Sequence, residues 1–158
     1  MLPLLVLLVT ADPGGWDTLF PSLGNFGRKV EAPKVEKGEK PTTYSQSVEY
    51  EWMGGRFEVL TITLARDPKF KEKYSAEAMK KEKVEKVDVN KKTAYLWDRM
   101  KAEKLDEVNR LLVVVLADDT ILMIEQRGAG LELDEVAKKL DFGKVLKAFE
   151  SPPPAKPK

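Results

Sequence analysis

One stretch limits the fold more than any other. In RLLVVVLADDTILMIEQRG, residues 110–128, the segment 111–117 is an unbroken apolar run of strand length. Asp118-Asp119 supplies a turn, and 120–126 returns as a second strand. A strand that does not alternate with polar residues is covered on both faces. The chain therefore has to build a sheet in which this hairpin is central and other layers pack on each side.

Two further strand pairs surround it. In YSQSVEYEW, residues 44–52, Tyr44, Val48, Tyr50 and Trp52 fall on one face, with Glu49 and Glu51 on the other. Met53-Gly54-Gly55-Arg56 turns the chain, and FEVLTITLA follows with Leu60, Ile62 and Leu64 in register. Together they read as an antiparallel hairpin. Later, Val84, Val87 and Val89 lead into Asn90-Lys91, a tight turn where Asn tolerates positive φ. Ala94 and Leu96, or Tyr95 and Trp97, continue as a strand. Residues 99–109 are charged, with Met100, Leu105 and Val108 as the only apolar points, and read as a loop or short helix.

Helical spacing marks the remaining elements. Asp67-Pro68 opens a helix whose inward stripe is Phe70, Tyr74, Ala78 and Met79. Its outer face mixes Lys with Glu, which reads as an ion-paired solvated surface rather than a nucleic-acid patch. After Gly128-Ala129-Gly130, Leu133, Val136, Ala137 and Leu140 recur at helical spacing. Asp141 caps a last helix carrying Phe142, Val145, Leu146 and Phe149. Residues 12–43, rich in Gly and Pro, read as an irregular connection anchored by Trp16, Phe20 and Phe26. Gly24 and Gly27 lack the spacing of a dinucleotide loop. Residues 151–158, SPPPAKPK, have no apolar pattern and read as a disordered tail. The expectation is one α+β domain over 44–150, a mainly antiparallel sheet of about six strands flanked by helices.

The first residues bear on compartment. Residues 2–9 are almost wholly apolar, too short to cross a membrane as a helix but of the length of a signal-peptide centre. Val9-Thr10-Ala11 supplies compact residues for cleavage before Asp12, although no Lys or Arg precedes the apolar run. The preferred reading is a signal peptide over 1–11 and a periplasmic or secreted protein without stable membrane insertion of the mature chain. The alternative is a buried strand in a cytoplasmic protein.

Composition then narrows the chemistry. Twenty-seven basic residues face 26 acidic ones, so a net charge of +1 provides no global field toward nucleic acid. The chain has no cysteine and no histidine. Thiolate nucleophiles, Cys-ligated zinc and triads that need His are thereby excluded within it. No cofactor or metal is expected.

The order of elements is similar to the Mog1/PsbP-like fold. VDVNKKTAYLW, RLLVVVLADDTILMIE and LDEVAKKLDFGKVLKAF resemble a type of small exported bacterial domain, over about residues 43–150. The resemblance implies an antiparallel sheet flanked by helices. It carries over no catalytic residue and no binding signature.

The candidate sites are few. Asp118-Asp119 reads as a solvated turn, and Glu132, Asp134 and Glu135 as acids at a helix start. Glu49, Glu51 and Glu58 are expected on the exposed side of the first hairpin. Tyr50, Trp52, Tyr95 and Trp97 are the candidate ligand or partner surface, with core packing as the competing role. Three functions follow in order: an exported non-catalytic binding or assembly module with an unknown protein or small-ligand partner, a cytosolic Mog1-like adaptor, and an enzyme using carboxylates or Lys. The last requires a deep pocket lined by convergent acids.

Overall fold

A computed structural model describes residues 16–36, 43–98, 104, 107–128 and 130–153. Eight strands form one sheet: β1 (Phe26–Val30), β2 (Lys34–Val35), β3 (Tyr44–Trp52), β4 (Glu58–Arg66), β5 (Glu85–Val89), β6 (Lys92–Asp98), β7 (Arg110–Ala117) and β8 (Thr120–Gly128). Their order is β1-β3-β4-β8-β7-β6-β5, with β2 also pairing β3, and every pairing is antiparallel. Four short helices, α1 (Phe70–Lys73), α2 (Ala76–Lys80), α3 (Leu133–Ala137) and α4 (Phe142–Ala148), complete an α+β fold.

The apolar run in β7 lies where its composition requires. Leu112, Val113 and Val114 are all fully buried, although neighbours along a strand point to opposite faces. The larger core lies on the face shared by Leu60, Ile62, Leu64, Leu112, Val114, Leu122 and Ile124. Trp16, Phe20 and Leu23 cover it together with α3 and α4. On the opposite face Tyr74 and Met79 pack against Ala65, Tyr95, Val113 and Ile121.

Two expectations change. Among the described residues the sheet has eight strands rather than about six, because part of segment 12–43 adds β1 and β2 to the outer edge of β3. Those strands satisfy backbone groups that β3 would otherwise leave open, and their own residues are at most half-buried. The helix opened by Asp67-Pro68 is two helices. Ser75 breaks it, because its side chain accepts a hydrogen bond from Ala78 N (3.1 Å) and so caps α2. Asp141 caps α4 in the same way, accepting from Lys144 N at 3.1 Å. The leader at 1–11 and residues 154–158 of the tail lie outside the described residues.

Candidate functional site

The four candidate aromatic residues do not share a surface. Partners across an antiparallel ladder lie on the same face. Tyr50 is opposite Leu60, and Trp52 is opposite Phe26, on the face of the larger core. Tyr95 is opposite Val113, and Trp97 is opposite Leu111, on the other face. Tyr50 is wholly buried and donates its hydroxyl to the Pro21 carbonyl at 2.6 Å. Burial pushes its pKa up to about 12, against the opposing pull of Arg28. Tyr95 is buried with Tyr74 and Met79, while Trp97 is half-buried beside it. The single aromatic platform is therefore corrected to two core aromatics and two separate half-buried tryptophans.

Trp52 is the one of these positions that borders a groove at the edge of the sheet. It meets Phe26 edge-on, with centroids 5.1 Å apart, and the Arg56 guanidinium lies 4.5 Å from its ring centroid. A shallow groove of about 390 Å³ runs beside it, lined by Gly24, Asn25, Phe26, Gly27, Met53 and Gly54 as well as Trp52 itself. Met53 is 76% exposed, and its amide donates to Asn25 O at 3.1 Å, which pins the end of β3 to the start of β1. A Cβ at Gly54 would lie 2.0 Å from Trp52 Nε1, so only glycine permits this seat for the indole. The sequence marks Met53-Gly54-Gly55-Arg56 as a turn. Gly54 and Arg56 frame Trp52 from within that turn, and β1 docking on β3 adds the other wall of the groove.

Most of the candidate acids are already engaged. Glu58 is not on the exposed face with Glu49 and Glu51; it is 1% exposed. It follows the alternation of Leu60, Ile62 and Leu64, which places it toward the core. One carboxylate oxygen accepts from Leu131 N at 3.0 Å and the other pairs with Arg56 at 3.0 Å. Glu49 pairs with Arg127 at 3.0 Å. Asp119 does more than turn the chain, because it holds Arg66 at 2.7 Å. Arg66 in turn donates to Tyr44 Oη and to Phe149 O. A smaller pocket of about 130 Å³ beside α3 contains Asp88, Arg110, Glu132 and Asp134. Its carboxylates have structural partners: Asp88 accepts from Lys91 N, Glu132 meets Arg110, and Asp134 meets Lys138. Among the described residues, no group of three or more Asp or Glu is placed to hold a metal ion.

Among the described residues, no helix is long and apolar enough to cross a membrane. Comparison of the chain with protein-family models, curated proteins and solved structures finds no match.

Proposed function

We propose that this chain is a non-catalytic binding module of the bacterial cell envelope on a Mog1/PsbP-like frame. Its ligand is an extended acidic segment of a partner protein. That segment pairs along the outer edge of β1 and seats one apolar side chain against Trp52. The observation that carries this reading is the position of the Trp52 groove at the start of an edge strand. An edge strand offers unpaired N–H and C=O groups to an added strand, and a pocket beside it selects an alternate side chain. Lys29 is exposed on β1 and Lys34 on β2, which favours acidic flanks on the partner, whereas Arg28 is already held by Asp17 at 2.7 Å. Pro33, between the two edge strands, limits pairing to the β1 stretch. Export rests on the leader at 2–9.

Fluorescence anisotropy with a labelled EEFEVE peptide tests the site. It should bind the chain about tenfold more tightly than a KKFKVK counterpart, and Trp52→Ala should weaken EEFEVE by about tenfold or more. Equal binding of both peptides, or no effect of Trp52→Ala, rejects the site. Intact mass from fractionated native cells tests export: loss of residues 1–11 outside the cytoplasm is the expected result.

A further inference from the structure

The opposite edge of the sheet is written for a different partner. β5 ends the strand order, and among the described residues it pairs only with β6. It joins β6 through the two-residue turn Asn90-Lys91, whose φ values of 50° and 65° belong to the hairpin type that matches strand twist. Such a turn closes on a hydrogen-bonded pair, here Val89 and Lys92. Alternation along the ladder then directs the backbone groups of Val87 and Glu85 toward β6, and those of Lys86 and Asp88 outward.

We infer that β5 is a self-recognition edge, at which two copies of this chain pair antiparallel about a two-fold axis through Val87. In that register Lys86 of one copy is opposite Asp88 of the other, and Asp88 opposite Lys86. The outward backbone groups of these same residues form the new ladder. Shifting the axis to Lys86 sets lysine against lysine, and shifting it to Asp88 sets aspartate against aspartate. Either shift places like charges directly opposite, which is unfavourable. Charge therefore selects one register. Lys86 and Asp88 are both exposed. Asp88 already accepts from Lys91 N through one oxygen, at 3.0 Å, which leaves the other oxygen for the lysine across the axis. An isologous contact of this kind closes on itself. The far edge carries a similarly spaced pair, Lys29 and Glu31, but Glu31 already faces Lys34 at 3.9 Å and Pro33 follows two residues on. The contact is short, so the dimer is weak, at the low end of specific interfaces. The inference is independent of the ligand proposed for β1.

Sedimentation velocity over micromolar to millimolar concentrations of the full chain tests it. Wild type should associate reversibly to a dimer. Lys86→Asp and Asp88→Lys should each raise the dissociation constant about tenfold or more. An equimolar mixture of the two should associate again, because each now carries the charges the other lacks. The double exchange K86D/D88K should also restore the homodimer. A second readout does not depend on those variants folding. The chain has no cysteine, and a non-hydrogen-bonded pair on the axis has a Cα separation of about 4.5 Å, within disulfide range. Val87→Cys should therefore form a disulfide dimer on mild oxidation, and Lys29→Cys on the other edge should not. A wild type that stays monomeric throughout overturns the proposal. So does a dimer indifferent to the charge exchanges, or equal crosslinking of the two cysteine variants.

Discussion

Glu58 shows how a single side chain can tie three segments together. Its carboxylate joins β4 to Arg56 in the preceding turn and to Leu131 ahead of α3. Gln126 in β8 lies 3.4 Å from it as well. Glu58→Gln keeps the shape and an acceptor for Leu131 N, and should cost about 1 kcal/mol. Glu58→Leu leaves the Leu131 and Gln126 donors with no acceptor there and should cost about 2–4 kcal/mol, read as a lower urea midpoint at constant slope. Tyr50 makes a pH-dependent prediction. Its folded pKa, raised to about 12 from 10, means that folding favours the protonated phenol. Its contribution is complete below about pH 10 and is lost as pH rises toward 12. Wild type should therefore lose more stability than Tyr50→Phe over that interval, measured by urea unfolding at each pH. At this scale the sequence was half legible. Period two names the inward apolar residues of a strand, but Glu58 was expected outward with Glu49 and Glu51 because of its charge, although it alternates with Leu60 and is buried. It does not say that Tyr50 and Tyr95 face opposite ways, because that depends on which strands pair and in what register.

Among the elements, the hairpin strands were legible, the edge strand β5 included, and the edge strands β1 and β2 were not. β3, β4, β7 and β8 alternate or run apolar because they bury side chains. β1 buries little, and its existence is owed to hydrogen bonding along β3 rather than to a pattern of its own. The Trp52 groove was hidden for the same reason, since four of its seven lining residues belong to the start of β1 and the turn before it. Gly54→Ala should displace the indole and reduce EEFEVE binding while leaving the thermal midpoint close to wild type, because the clash lies in an exposed turn. The break between α1 and α2 was available from Ser75, a good cap and a poor interior residue. Ser75→Ala should cost about 1 kcal/mol in thermal unfolding.

Across the whole molecule, the segment that begins the described residues packs on the last helix. Trp16 stacks on Phe149 with centroids 3.9 Å apart, and Tyr44 packs against both. Phe149→Ala should cost about 3–5 kcal/mol, a large part of the stability of a domain this size. A chemical-denaturation curve measures it. The middle of the sheet has a consequence for the order of events in folding. β4 and β8 form its central seam, yet residues 67–119 separate them in sequence. β1–β4 and β5–β8 can each zip from local turns, whereas the seam must wait for a long loop to close. During synthesis β4 leaves the ribosome long before its partner does, with Ile62 and Leu64 on an open edge. A nascent chain stalled before β8 therefore exposes the stickiest strand edge this protein ever presents, and that is the stage at which a chaperone has most to protect.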